Sequence, residues 1–317
     1  MAAVDELEGI FIGQNLYAQR NGASKGVAMD GKAHTQESAS SSSLRSIGDG
    51  ANTPAIPEKK ETPKSFSIFL VQLLIAVLIF RSFVFAPFSI PSESMLPRLM
   101  NGDLLLAAKW PYGFSKHSLP FGAPLIPGRV LAGEPERGDV VIFKHPVDGV
   151  DYIKRVVALP GDRVAVEGGQ VILNGEVLPL EPLSDLAIPM SPNTGCGWGG
   201  TEEQTASGGL ICRYTQYRET LPGGREFDVL DFGLTPGDSF SPTTIPEGHM
   251  FVMGDNRDNS RDSRFTARSG DAVGIVPHDL LVGEASIILW SSEGSAVWYN
   301  PISWFSTVRW GRIGTLL

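Results

Sequence analysis

Three short segments hold the residue types that could do chemistry. The first, Ile90–Leu99, reads IPSESMLPRL and sets Ser94 between Pro91 and Pro97, with a second hydroxyl at Ser92. Proline fixes its own φ and restricts the residue before it, so a hydroxyl here is held in a narrow range of poses. Such a serine serves either a turn or a nucleophilic reaction. The second, Asp151–Asp162, reads DYIKRVVALPGD, and strand alternation puts Tyr152, Lys154 and Val156 on one face. A lysine among apolar side chains is desolvated, which disfavours its charged form. Lowering its pKa from about 10.4 to about 7–8 costs roughly 4 kcal/mol, which a fold bears where a neutral amine must act as a base. The alternative is a strand-edge lysine whose stem lies on the sheet and whose head reaches water. The third, Gly254–Phe265, reads GDNRDNSRDSRF, dense enough in polar groups to be an exposed loop or a hydrogen-bonded buried cluster. As a calcium loop counted from Asp258 it fails, with Ser263 where Gly is needed and Ser269 where Glu is needed. His34, His117, His145, His249 and His278 stand isolated, without zinc spacing. No metal and no cofactor is expected.

The elements that must position these residues begin with an apolar run. Phe66–Phe80 reads FSIFLVQLLIAVLIF, and after Arg81 and Ser82 the run resumes through Phe83–Ala86. The span 65–86 has about the 20 residues that one membrane-crossing helix requires. Arg81 can carry its charge to the interface along its own stem. Lys59, Lys60 and Lys64 come first, so the positive-inside rule sets the N-terminus in the cytoplasm and everything after Pro87 on the outer face. The rival is a removable signal peptide. Val84-Phe85-Ala86 would satisfy a small-residue cleavage rule, but a start about 65 residues into the chain is late for one. The segment is read as a retained anchor. Ser94 follows Ala86 by 94 − 86 = 8 residues. That is at most about 28 Å of extended chain, so Ser94 works close to the outer membrane surface. Residues 1–64, with a nearly all-serine stretch at Ser38–Ser43, bury too little to offset their ordering entropy and are read as a disordered cytoplasmic segment.

Beyond the anchor, strand signals dominate. Asp139–Phe143, Tyr152–Val157, Arg163–Val166 and Gln170–Leu173 are β-branched runs separated by Gly, Pro or Asn. Asn174-Gly175 is a two-residue hairpin turn. Residues 181–245 are looser, and form either part of an inserted domain or large loops. Strand patterns return at Phe251–Met253 and Leu281–Trp290. The 36 Gly and 23 Pro argue against a helical bundle and for an all-β fold. A net charge of -9 argues against a nucleic-acid partner. Two cysteines exclude a four-cysteine zinc site. Cys196 and Cys212 are 212 − 196 = 16 positions apart. In an oxidising compartment a bridge between them is worth about 3 kcal/mol. The alternative is two free thiols, and the bridge is the expectation.

The three segments, in this order behind a membrane span, resemble type I signal peptidases, the membrane-bound leader peptidases with a Ser/Lys dyad. The match covers roughly 85–317. The resemblance implies that Ser94 is the nucleophile and Lys154 the general base. It implies that the Ser92 hydroxyl joins the Ser94 N–H in the oxyanion hole and that Ser260 orients the lysine. Asp262 and Arg264 would form a supporting ion pair. Ile90, Met95, Leu99, Tyr152 and Ile153 would line small pockets for the substrate. A catalytic β domain would be assembled from 87–165 and 246–317, interrupted by an inserted β domain at 166–245. The partners would be exported preproteins and the lipid bilayer, and the place a bacterial inner membrane with the catalytic part on the periplasmic face. Two positions depart from the family pattern: Arg98 stands where Thr is common, and Ala158 where Gly is common. Glu93, between the two serines, is expected to point to solvent. The aromatic tail, Trp290, Trp298, Tyr299, Trp304, Phe305 and Trp310, suits a membrane interface or a packed core. Two rivals share these features. One is a specialised processing peptidase with few substrates, and the other a non-enzymatic signal-peptide-binding β module. A self-cleaving repressor would need a DNA-binding domain, which residues 1–64 are too little basic to supply.

Overall fold

The computed structural model describes residues 63–119, 122–297 and 299–317. The segment expected to be disordered lies outside the described residues up to position 62, as does Trp298. Helix α1, Pro63–Phe83, has 21 residues. At 1.5 Å per residue this is about 32 Å, enough for a hydrocarbon layer of about 30 Å. Phe66–Phe83 is long and apolar enough to cross a membrane, and its large side chains from Phe66 to Phe80 are exposed. The helix stops short of the expected Ala86. Pro87 pushes Ala86 into extended backbone, and Phe85 and Ala86 already pair with Ala108 and Ala107.

After α1 the chain is mostly β. The first strands are β1 (Phe85–Ser89), β2 (Asp103–Ala108), β3 (Phe114–Ser115), β4 (Arg129–Val130), β5 (Val140–Lys144) and β6 (Asp151–Ala158). The main sheet has seven antiparallel strands, running β1, β2, Leu281–Ser291, β5, β6, His249–Met253 and Val276–Pro277. Val140–Phe143 of β5 is buried at every position, so this strand is covered on both faces and reads as a continuous apolar run. One apolar cluster holds Ile90, Met95, Leu99, Leu105 and Ile288. A second holds Tyr112, Phe143, Val156 and Val252.

This strand order is what gathers the three segments. The chain leaves β1 directly into the Ser94 turn. Lys154 lies in β6, whose neighbour His249–Met253 ends where the Gly254 segment begins. The region between is not loose. Arg163–Glu167, Gln170–Leu173, Glu176–Val177 and Ser239–Thr244 form a four-stranded sheet, and residues 180–230 form two three-stranded ones. Asn174 and Gly175 take the positive φ values, 56° and 89°, that a tight hairpin turn demands. Cys196 and Cys212 are joined by a disulfide. Cys212 packs in one cluster with Tyr214, Leu230, Leu96 and Met100, so this region shares a core with the stretch just after Ser94.

Candidate active site

Lys154 and Ser94 are both buried, and the lysine Nζ lies 2.6 Å from the Ser94 Oγ. The same amine donates to the Ile153 carbonyl at 3.1 Å. Burial lowers the Lys154 pKa to about 8 against the opposing pull of the Asp262 and Asp255 carboxylates. A neutral amine in this pose keeps one N–H on Ile153 and turns its lone pair toward the serine hydroxyl. The arrangement can therefore take a proton from Ser94. Ser92 Oγ stands 3.4 Å from Ser94 Oγ, on the exposed side of the turn.

The Gly254–Arg264 segment braces this pair from behind. Arg264 holds Asp262 by two bonds of 2.8 and 2.9 Å, and the Gly254 N–H donates to the same carboxylate at 3.0 Å. Burial alone would raise the Asp262 carboxyl, but the Arg264 guanidinium and the Gly254 N–H hold it below the usual range. Gly254 admits no larger residue, since a Cβ there would collide with both Ser94 O and Ser260 Oγ. Ser260 is buried beside Asp262, and its hydroxyl helps to hold that carboxyl low. The lysine contacts implied for Ser260 are instead made to Ser94 and Ile153.

Sequence reasoning missed the residues that fix the Ser94 turn. Asn256 is fully buried, its N–H donates to Ser94 O at 3.1 Å, and its Nδ2 donates to Glu93 O at 3.2 Å. The Glu93 carbonyl and the Ser94 N–H belong to one rigid peptide plane. Asn256 therefore sets the direction of the Ser94 N–H. Two more buried ion pairs surround it, Arg155 with Asp255 at 2.7 and 2.6 Å and Arg257 with Glu219 at 2.7 and 2.5 Å. Arg155 follows Lys154 on β6 and so faces the other side of the sheet. A buried cation beside the buried lysine was the available signal for its partner Asp255.

Ser94 and Lys154 open into a groove of about 400 Å³. Ile90, Tyr152 and Ile153 line it, together with Phe88, Ile142 and Val150, which the sequence analysis did not name. Phe88 shares a strand face with Ile90 by simple alternation, so its place was readable. Met95 and Leu99 do not line the groove. The turn after Ser94 carries both under the sheet, where they are fully buried against Leu105, Ala107 and Ile288. Glu93 is also placed otherwise than expected. It is half-buried against Gly197 of the disulfide-closed loop, where burial raises its carboxyl, and it does not contact Lys154.

The sequence pattern of the family described as Signal peptidase, peptidase S26 matches residues 64–290. This chain belongs to that family. It is 33% identical over 274 residues to Signal peptidase I of Rickettsia typhi, covering 80% of this chain and 93% of that one. It is 33% identical over 282 residues to Signal peptidase I of Rickettsia prowazekii, covering 83% and 96%. A solved signal peptidase I from Enterococcus faecalis aligns at 23% identity with a TM-score of 0.25, over 48% of this chain and 97% of that chain, and carries no weight. As a member of the signal peptidase family the chain is a serine endopeptidase, and its reaction is the removal of signal peptides from preproteins.

Proposed function

We propose that Ser94 is the nucleophile and Lys154 the general base of this signal peptidase. The observation that carries the reading is the 2.6 Å approach of a buried, pKa-lowered amine to a buried serine hydroxyl at the mouth of an apolar groove. The cleavage region of the preprotein lies extended along β1 and β6, as strand addition to the groove allows. Small side chains before the scissile bond fit between Ile90, Tyr152 and Ile153. Neutral Lys154 takes the hydroxyl proton as Ser94 Oγ bonds to the carbonyl carbon. The Ser94 N–H and the Ser92 hydroxyl donate to the resulting oxyanion, an interaction worth a few kcal/mol. Protonated Lys154 then gives its proton to the leaving amine as the peptide bond breaks. Water, deprotonated by Lys154, cleaves the acyl-enzyme and frees Ser94. Ser260, buried beside Asp262, is the group by which the amine can be steered between these steps, while the Asp262–Arg264 pair supports it.

In this reading α1 is a retained single-pass anchor with a cytoplasmic N-terminus, and the catalytic part faces the periplasmic side of a bacterial inner membrane. The catalytic domain is 87–165 with 246–317, and 166–245 is inserted. Exposed Tyr299, Trp304, Phe305 and Trp310 rest on lipid, which quenching of tryptophan fluorescence by brominated lipid tests. The dyad itself is tested by cleavage of a purified preprotein in detergent by wild type and by Ser94→Ala. The expected result is a mature product, cut after a small residue, from wild type alone. Equal cleavage by both proteins would move the nucleophile elsewhere.

A further inference from the structure

A second cavity, of about 530 Å³, lies behind the Ser94–Lys154 pair. That volume is in the range of small-molecule sites. Its floor is Arg155 and Gly138, on the face of the sheet opposite Lys154. One wall is the turn at Pro97 and Arg98, together with Arg312. The other is the paired strands Gln216–Thr220 and Glu226–Leu230. These strands present Gln216 and Arg218 from one face, and the turn between them adds Arg225.

Five guanidiniums thus line one cavity in a protein of net charge -9. Carboxylates hold four of them. Asp255 takes Arg155 at 2.7 and 2.6 Å, and Asp103 takes Arg312 at 3.1 and 2.5 Å. Asp139 takes one nitrogen of Arg225 at 2.7 Å, and Asp228 takes the Nε of Arg218 at 2.9 Å. Arg98 has no carboxylate partner among the described residues, and its Nη2 donates to the Leu316 carbonyl. Burial, and then the neighbouring Arg155, press against its charge. Glu226 also lines the cavity, outside any ion pair among the described residues, and it is exposed. The hydrogen bonds leave N–H groups over. Among the described residues no partner takes both Nη of Arg218, the Nε and Nη2 of Arg225, or the Nε and Nη1 of Arg98.

Gln216 points independently to a ligand. It is only 8% exposed and lines the cavity, yet its side-chain amide has no hydrogen-bond partner among the described residues. Buried amides are almost always bonded, so this one addresses what enters the cavity. Guanidinium forks fit the oxygens of a phosphate in pairs, and an amide adds a further donor. We propose that this cavity is a binding site for a phosphate-bearing anion, held by Arg98, Arg218, Arg225 and Gln216. The bound anion ties together the supports of both reacting residues. Arg98 follows Ser94 by 98 − 94 = 4 residues, across Pro97, and Arg155 follows Lys154 and holds Asp255, the neighbour of Asn256. The site rests on the fold, and not on the roles of Ser94 and Lys154.

The test titrates inorganic pyrophosphate and glycerol phosphate into the full chain in maltoside detergent at fixed ionic strength. Binding is read by calorimetry and by the unfolding temperature. The expected result is saturable binding to wild type and to Ser94→Ala, with an unfolding temperature that rises with ligand, as binding to the folded state alone requires. Arg98→Thr and Gln216→Leu should each weaken binding by about tenfold or more, the worth of one charge-assisted hydrogen bond. Arg98→Thr also gives up the Leu316 contact, so the ligand-dependent rise is compared and not the unfolding temperature itself. Tighter binding of pyrophosphate names a dissolved polyanion and tighter binding of glycerol phosphate a lipid headgroup, and either supports the site. Absence of saturable binding overturns the proposal. So does binding that survives unchanged in either cavity variant. Binding lost in Ser94→Ala overturns it too, because the anion would then sit in the Ser94 groove.

Discussion

Lys154, in β6, and Lys109, just past the end of β2, are both buried in or beside the same sheet, and burial lowers both amines to about 8. Carboxylates oppose the shift in each case, Asp262 and Asp255 for Lys154 and Asp151 for Lys109. Their immediate contacts differ. Lys154 Nζ is 2.6 Å from a serine hydroxyl, whereas Lys109 Nζ stands 5.6 Å above the centre of the Phe88 ring and touches no hydroxyl among the described residues. A lowered lysine pKa is thus a property of burial that a fold can produce without using it. Activation of a nucleophile depends on where the lone pair points.

The largest effect should come from removing the amine that points at Ser94. Lys154→Met is expected to lower single-turnover processing of a preprotein by roughly 10³-fold or more, in the range seen when a base is deleted from a serine dyad or triad. Lys154→Arg should fare no better, because a guanidinium stays protonated and cannot accept the serine proton. Lys109, equally depressed, stands over the Phe88 ring and is not among the residues that line the Ser94 groove, so it is not expected to substitute. Near-normal processing by Lys154→Met would break the comparison by assigning the base elsewhere.

A smaller loss should follow when the hydroxyl and amine remain and only the turn is loosened. Asn256→Ala removes the Nδ2 donor that holds the Glu93 carbonyl. The peptide plane carrying the Ser94 N–H is then free to tilt. The expected outcome is a kcat lowered by about 10- to 100-fold, below the cost of deleting an oxyanion donor outright. KM should change little, since the groove wall is untouched. A variant that raises KM and leaves kcat alone would show that Asn256 shapes the groove instead.

The contrast between the two lysines also marks how far the sequence could be read. Ser94, Lys154 and the Asp262–Arg264 pair were singled out by the resemblance to signal peptidases, since prolines, strand alternation and dense polar residues each left a structural alternative open; the structure places Lys154 against Ser94 and Arg264 against Asp262. Asn174-Gly175 announced its hairpin by its two residue types alone. Lys109 was not singled out, because the ring it stands over, Phe88, lies far from it in sequence. Met95 and Leu99 were misread as groove residues. Their side chains turn inward after Ser94, and a run of ten residues does not record the direction of its own turn. Asn256 and Asp255 lie within the Gly254–Phe265 segment, yet their partners Glu93 and Arg155 lie far away in sequence. Residues 181–245 could be read as part of an inserted domain or as large loops, because their strands are short and held by pairing rather than by apolar periodicity.

A pH profile separates the two amines more finely. Lys154 works as a base only when neutral, so kcat/KM should rise with pH and level off above about 8. Below that value it should fall about tenfold per unit, as a single ionisation requires. Lys109→Met should leave this profile in place. A profile that flattened in Lys109→Met would mean that the second lysine, not the dyad, controls the ionisation.

Lys109→Met should instead appear in stability. The Lys109 pKa falls from 10.5 in the unfolded chain to about 8 in the folded one. Between those values the folded state binds fewer protons, so stability declines as pH drops from 10.5 and the full cost is reached below about 8. A shift of 10.5 − 8 corresponds to about 3 kcal/mol. Met keeps most of the stem over Phe88 and carries no charge to desolvate. The variant should therefore unfold at a higher temperature than wild type at pH 7, by up to about 3 kcal/mol in stability, with the difference closing toward pH 10.5. Its processing rate should stay within about twofold of wild type, as for substitutions away from the reacting groups. Equal thermal stability at pH 7 would mean that Lys109 is charged at no cost in the folded protein, and the likeness between the two lysines would fail.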